Sequence, residues 1–505
     1  MASKTRRTPA SSSSSRNTIR FRTSFSNTVY DVMKGRGWRE TESETEWDVH
    51  WAERDWVYEV FDTMHLESWQ RLNHFRNGRE LCRKDLLVKN LKRKKRALER
   101  DSKHEEAESY DFSPVTFVLP REYAMFVEEF KRSGGVWIMK PIGSAQGKGI
   151  FLFSRLSEIS EWRTDYRYKK GADQQKEADV EAYVVQRYIS NPYLIGGKKF
   201  DLRIYVLVTS FSPLQCWLHR SGFSRFSHSR YSSDPRDIAN NFMHLTNVAV
   251  QKTAENYDAR SGGKWDIRSL KLYMISQFGR EMVDELFWRI QMLVLRSLFA
   301  VQQVMINDKH CFELYGYDIM IDDTLKPWLI EVNASPSLTA NTREDYDLKC
   351  RMLNDLFDVV DAEGKLRGDE EHVGGFDLIY DNGYVEIEAQ DSCWSSYLGA
   401  QMPTRGASAS ASAAAAAASS SSATTAAAAA PSSSAATDPL GVASTASAAV
   451  PSSSFAQNSA PRRSGGGGSG EKANRPNSAS SSRRRSSRGA TSSLYGGGGG
   501  GGGVP

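Results

Sequence analysis

Residues 315–336 of this 505-residue chain read Tyr-Gly-Tyr-Asp-Ile-Met-Ile-Asp-Asp-Thr-Leu-Lys-Pro-Trp-Leu-Ile-Glu-Val-Asn-Ala-Ser-Pro, two apolar runs around a polar turn. The pattern predicts a β-hairpin, with Asp322 and Asp323 as turn residues. If the turn is centred between Thr324 and Leu325, Asp318 faces Glu331 across the ladder, and Asn333 shares the face of Glu331. Two carboxylates and a carboxamide gathered among apolar neighbours are costly to bury unless a cation lies among them. An all-oxygen set of this kind suits Mg²⁺ held together with substrate phosphates. The plainer alternative is a polar face turned to solvent.

A second segment, Val136-Trp-Ile-Met-Lys-Pro-Ile-Gly-Ser-Ala-Gln-Gly-Lys-Gly-Ile-Phe-Leu-Phe, reads as strand, glycine-rich loop and strand. Glycines let backbone N–H groups approach phosphates, and Lys140 and Lys148 add positive charge. A Walker A loop is excluded, because Gly149 stands where Ser or Thr is required and no helix follows. The geometry points to a hairpin lid over a triphosphate, with a simple glycine-rich turn as the alternative. Between the two segments, Val184–Tyr205 offers a strand with a polar-aromatic edge for adenine, Asp201 for ribose hydroxyls and Arg203 for a phosphate. Surface ion pairs would explain the same residues. A kinase is excluded by loop spacing and by the lack of HRD and DFG motifs, and no Ser/His/Asp or Cys/His nucleophile arrangement is present.

The formal charge of +5 sits in the tails: nine Lys or Arg from Arg405 onward stand against Asp438 and Glu471, and Lys4, Arg6, Arg7 and Arg16 precede the body. The remainder is acidic, which excludes a uniformly basic nucleic-acid binder. The five cysteines, Cys82, Cys216, Cys311, Cys350 and Cys393, form no CxxC pair, which favours a reducing compartment over a disulfide framework. No apolar run spans a membrane and no secretory h-region opens the chain, so a cytosolic protein is expected.

An α+β architecture is expected between disordered tails. Residues 1–17 form a basic N-terminus, 18–110 an N-terminal subdomain, 111–215 a central subdomain with the lid, and 216–398 a C-terminal subdomain with the metal site. The Ala/Ser/Gly/Arg-rich stretch 399–505 lacks the apolar residues needed to offset ordering entropy. Strands are predicted at Val115–Leu119, Val136–Met139, Ile150–Phe153, Val184–Tyr188, Leu202–Thr209, Tyr317–Ile321 and Trp328–Val332. Helices are predicted at Arg121–Lys131, Leu156–Trp162, Trp265–Phe278 and Arg280–Met305. The basic run from Arg83 to Arg100 reads as a solvated helix face, a localisation patch or a docking strip for an acidic partner.

In order, KPIGSAQGKGI, VVQRYI, KKFDLRIYVLVTS, SGFSRFS, HLTN and YGYDIMIDDTLKPWLIEVNASPSL resemble the tubulin-tyrosine-ligase-like family over roughly Arg22–Leu378. The GKGI lid and compact body look most like its short ciliary and flagellar branch of tubulin polyglutamylases. The resemblance implies an ATP-grasp fold, with nucleotide between two subdomains. It implies ATP contacts from Lys140, Gln146, Gly147, Lys148, Gly149, Gln186, Arg187, Tyr188, Ile189, Lys199, Asp201, Thr246 and Asn247, and Mg²⁺ ligands Asp318, Glu331 and Asn333. It also implies that Arg225 and Lys264 hold the incoming amino acid, that Arg203 stabilises the transferred phosphoryl group, and that Arg203, Arg225 and Glu331 form the catalytic set.

The implied activity is ATP-dependent addition of glutamate to side-chain carboxylates of acidic tubulin tails, through an acyl phosphate. Implied partners are tubulin or microtubules, free glutamate and accessory subunits, with no nucleic acid. The implied location is cytoplasm and cytoskeleton, at the axoneme or basal body of a cilium or flagellum. Glycine ligation and a non-catalytic subunit of a tubulin-modifying complex are the alternatives. Val248 and Ala249 after HLTN depart from the Tyr-Ser-like pair of many family polyglutamylases, which bears on the amino-acid pocket.

Overall fold

Fourteen consecutive residues, Lys198–Phe211, form the strand around which the fold is laid. Its Leu-Arg-Ile-Tyr-Val-Leu-Val stretch is buried on both faces, the pattern of a strand covered on either side. The computed structural model describes residues 18–159, 182–256, 263–340, 342–386 and 396–403. In the large sheet the order is Pro327–Ala334, Glu313–Ile321, Lys198–Phe211, Leu214–Phe226, Phe376–Asp381 and His372–Val373. Leu194–Ile195 pairs with Lys198–Phe211, and Lys264–Asp266 with Leu214–Phe226; every ladder of this sheet is antiparallel.

Strand alternation sends Leu202, Ile204, Val206 and Val208 into a core shared with the helices Arg280–Val301 and Lys84–Arg100. Tyr205 and Leu207 point into a second core, with the helices Thr28–Gly35 and Arg343–Val360. The Arg280–Val301 helix is buried along nearly its whole length, which explains why its sequence is so apolar.

A separate antiparallel sheet has the order Thr116–Leu119, Tyr183–Arg187, Trp137–Pro141 and Phe151–Phe153. The helix Tyr123–Ser133 backs it, with Phe126 packed on Trp137 and Phe153. A small parallel sheet, Arg39–Glu40, Arg20–Thr23, Val49–Trp51 and Arg71–Leu72, packs through Trp51 against Phe312, the residue just before the Glu313–Ile321 strand. No described helix is long and apolar enough to cross a membrane.

All seven predicted strands are present, and those containing Leu202, Tyr317 and Trp328 are longer than expected. The helix predicted from Trp265 begins instead at Ile267. Trp265 and Asp266 pair with Ser224 and Phe223, and the Asp266 carboxylate accepts from Ser269 N at 2.8 Å as the helix cap. Of the helix predicted over Leu156–Trp162, Leu156–Ile159 form a single 3₁₀ turn and the remainder lies outside the described residues. The boundary drawn at residue 215 falls inside a continuous ladder, because a tight turn joins Lys198–Phe211 to Leu214–Phe226. At the other end, Leu398 is fully buried and Gly399 N donates to Arg220 O at 2.9 Å, so packed backbone continues past 398.

Candidate active site

Ladder register arranges the charged residues of the large sheet in two adjacent rows. Lys264, Arg225 and Asp201 are successive cross-strand partners, and so are Arg203, Asp318 and Glu331. The pairing of Asp318 with Glu331 arises differently from the expectation. Ile321 pairs with Pro327 and Ile319 with Leu329, which centres the turn on Thr324 rather than between Thr324 and Leu325. A bulge at Ile330 then restores Glu331 opposite Asp318 and brings Ile330 into the wall of the neighbouring cleft.

Asp318 is buried, and Arg203 donates to it through Nε at 2.6 Å and Nη2 at 3.1 Å. Arg225 adds an Nη2 contact at 2.8 Å and also grips Asp201, with Nε to Oδ1 at 3.0 Å. Burial alone would raise the Asp318 pKa, but the two guanidiniums outweigh it and hold the carboxyl at about 2. Asn333 Nδ2 lies 3.3 Å from Asp318 Oδ2 and 3.5 Å from Glu331 Oε1, so one amide bridges both carboxylates. The same nitrogen donates to Gly316 O at 3.3 Å, and a half-turn of the amide would present its oxygen at this point instead. Among the described residues no three His, Cys, Asp or Glu side chains gather as a metal-binding group; here there are two carboxylates and one carboxamide.

Gly316 makes room for this arrangement. A Cβ built there would stand 2.8 Å from Pro336 Cβ and 3.1 Å from Arg203 Cδ. Gly316→Ala is therefore expected to push Arg203 off Asp318 and to cost about 1–3 kcal/mol. Urea unfolding reads this directly, and an unchanged midpoint would show that the strand absorbs the methyl.

Opposite this face, the Trp137–Pro141 strand and its glycine-rich loop close a cleft of about 740 Å³, open to solvent. Lys140 Nζ donates to Gln186 Oε1 at 2.7 Å, and Gln186 Nε2 to Thr116 Oγ1 at 3.0 Å. Lys199 Nζ donates to Tyr188 Oη at 3.0 Å and His244 O at 2.8 Å. His244 joins Tyr188 Oη and Asp237 O through its two ring nitrogens, a structural bridge at the cleft edge. Ile138, Ile150, Leu245, Met320 and Ile330 supply an apolar lining suited to a flat base. At Gly147, φ is +81° and a Cβ would meet Val250 Cγ2 at 2.9 Å, so the loop approaches the 241–251 segment as only glycine allows.

Burial lowers Lys140 to about 8 and Lys199 to about 7. Between those values and 10.5 the unfolded chain binds more protons, so these two groups make the free fold more stable as pH rises through that window. A polyphosphate favours the charged lysines. ATP binding at pH 8 is therefore expected to take up protons, and affinity is expected to fall from pH 7 to pH 9. Calorimetry in two buffers of different ionisation enthalpy checks this, and proton release would contradict it.

The cleft brings together Lys140, Gln146, Gly147, Gln186, Arg187, Tyr188, Ile189, Lys199, Asp201, Arg225, Thr246, Asn247, Asp318 and Glu331. Five expected residues are not in its wall. Arg203 lies behind Asp318, and Asn333 bridges the carboxylates. Lys148 and Gly149 belong to the turn of the lid, and Lys264 Nζ is paired to Asp345 Oδ2 at 3.1 Å. The Arg187 guanidinium lies 5.7 Å from the Trp137 ring centroid and donates through Nη2 to Ser133 O at 3.3 Å. Lys84 was missed by sequence reasoning. Its Nζ donates to Ser144 O in the lid at 3.1 Å and stands 3.8 Å from Glu331 Oε2. Within a run of basic residues it carries no local signal that would have set it apart.

Comparison with known proteins accords with this geometry. Residues 62–367 match the family model described as the Tubulin-tyrosine ligase family. The chain is 48% identical over 398 residues to "Probable tubulin polyglutamylase TTLL9" of Mus musculus, covering 74% of this chain and 86% of that protein. It is 47% identical over 391 residues to "Probable tubulin polyglutamylase ttll-9" of Caenorhabditis elegans, covering 77% and 91%. Against "Probable alpha-tubulin polyglutamylase Ttll1" of Tetrahymena thermophila it is 41% identical over 389 residues, covering 72% and 93%. With the strand order, the paired carboxylates and the lysine-lined cleft in place, these matches establish that the chain belongs to the tubulin-tyrosine ligase family.

Proposed function

We propose that this chain is an ATP-dependent tubulin polyglutamylase that joins glutamate to side-chain carboxylates in acidic tubulin tails, using an ATP-grasp arrangement with nucleotide between the lid sheet and the large sheet. The observation that carries the reading is the pairing of Asp318 with Glu331 on one wall of a cleft whose other walls present buried Lys140 and Lys199. Relatives named as tubulin polyglutamylases at 41–48% identity support tubulin as the acceptor and glutamate as the added amino acid.

In the proposed reaction a carboxylate oxygen of the acceptor takes the γ-phosphoryl group, releasing ADP. The amine of free glutamate then attacks the acyl carbon, phosphate leaves, the amine loses a proton and an isopeptide bond forms. Lys140 and Lys199 hold phosphate charge, and the apolar lining receives the adenine. Arg203 fixes Asp318, and Arg225 links Asp201 to Asp318. Asp318, Glu331 and the flipped amide of Asn333 fit a Mg²⁺ ion, which when bound neutralises charge on the phosphates. Arg225 and Lys264, neighbours in one row, would grip the amino acid's carboxylates.

Resemblance to the short ciliary and flagellar branch supports action on axonemal or basal-body microtubules, in company with accessory subunits. Purified chain, with and without ciliary extract, is given tubulin, ATP and labelled glutamate or glycine. ATP-dependent glutamate incorporation is expected. Glycine incorporation instead would replace the proposed amino acid, and incorporation of neither would leave a non-catalytic subunit.

A further inference from the structure

The helix Lys84–Arg100 carries eight Lys or Arg against Asp85 and Glu99. Several already have partners: Lys92 pairs with Glu122 at 3.1 Å, Lys95 with Asp111, and Lys84 reaches Glu331. Lys89, Arg93, Arg96 and Arg100 are different. Their spacing puts them in one stripe, opposite buried Leu87, Leu91 and Leu98, and all four are exposed. No ion-pair partner is recorded for any of them among the described residues; Arg93 alone has a polar contact, Nη2 to Ala300 O at 3.2 Å. Like charges aligned on one exposed helix face repel, so the fold gains nothing from this grouping.

The stripe also has a direction. Its helix begins at Lys84, inside the cleft wall beside Glu331, and runs about 16 Å from Lys89 to Arg100 at ~1.5 Å per residue. Carboxylates on alternate residues of an extended peptide recur about every 6.6 Å, close to the ~6 Å spacing of successive helix neighbours four apart. We propose that Lys89, Arg93, Arg96 and Arg100 form a docking track for the acidic flank of the acceptor peptide, holding it while one carboxylate enters the cleft beside Lys84. The proposal rests on the reading that the acceptor is an acidic peptide, and adds to it the surface that recognises the flank.

The test uses the full chain carrying Lys89→Gln, Arg96→Gln and Arg100→Gln; Arg93 is kept because of its contact with Ala300. Glutamine preserves helix propensity, and Arg96→Gln alone serves as the milder variant should the triple change fail to fold. The probe is a fluorescein-labelled glutamate-rich peptide read by anisotropy at low and high salt. Losing three exposed charge pairs is expected to weaken binding by about tenfold at low salt, with the difference shrinking as salt rises. ATP affinity and turnover of a short acceptor with a single glutamate should stay unchanged, while KM for the long acceptor rises. Unchanged peptide affinity would overturn the proposal. So would a loss that appears equally with a single-stranded oligonucleotide of the same charge, since the surface would then be a general polyanion site. Because anisotropy needs no turnover, track-dependent peptide binding without glutamate incorporation would sink the ligase reading and leave the track standing.

Discussion

Glu331→Gln is expected to lower glutamate incorporation by at least about a hundredfold, the usual scale for losing one preorganised electrostatic group at a reacting centre. The change keeps the side chain's size and removes its charge where Asp318, Asn333 and Lys84 converge. Glu331 is only partly buried, its side chain 25% exposed, so its loss should move the unfolding midpoint little. Steady-state incorporation measured beside urea unfolding separates the two effects. Activity that survives the change would remove Glu331 from the cation site.

Asp318→Asn should behave in the opposite sense, striking the fold as well as the chemistry. Asp318 is the shared anion of Arg203 and Arg225, which are themselves buried at 8% and 7% exposure. Neutralising it removes the carboxylate that holds the Arg203 fork and leaves Arg225 with Asp201. Breaking a buried ion pair from one side costs about 3–5 kcal/mol, so the variant should unfold at clearly lower urea than the Glu331 variant. Equal midpoints for the two variants would mean that the arginines do not depend on the Asp318 charge.

The contrast between these neighbouring carboxylates also marks what sequence reading can reach. The hairpin, the facing of Asp318 and Glu331 and the shared face of Asn333 were legible, because alternation and turn residues are local signals. The bulge at Ile330 was not, since nothing in Leu-Ile-Glu-Val distinguishes the residue that leaves the ladder. Arg203 was read as a phosphate group's partner, whereas its fork is taken by Asp318, 115 residues further on. That contact follows from the register of two strands rather than from any motif. Lys84 shows the same limit, because its contacts with the lid and with Glu331 exist only once a helix start, a loop and a strand have met. The small parallel sheet near the N-terminus was invisible for a simpler reason: strands of two to four residues carry no readable period.

In the proposed reaction the cleft passes a phosphoryl group to a carboxylate before the amine attacks. An acceptor peptide labelled with ¹⁸O in its glutamate side chains tests it, with products followed by ³¹P resonance. Transfer of one label into inorganic phosphate, with ADP as the nucleotide product, is the predicted result. Unlabelled phosphate, or AMP and pyrophosphate in place of ADP, would contradict it.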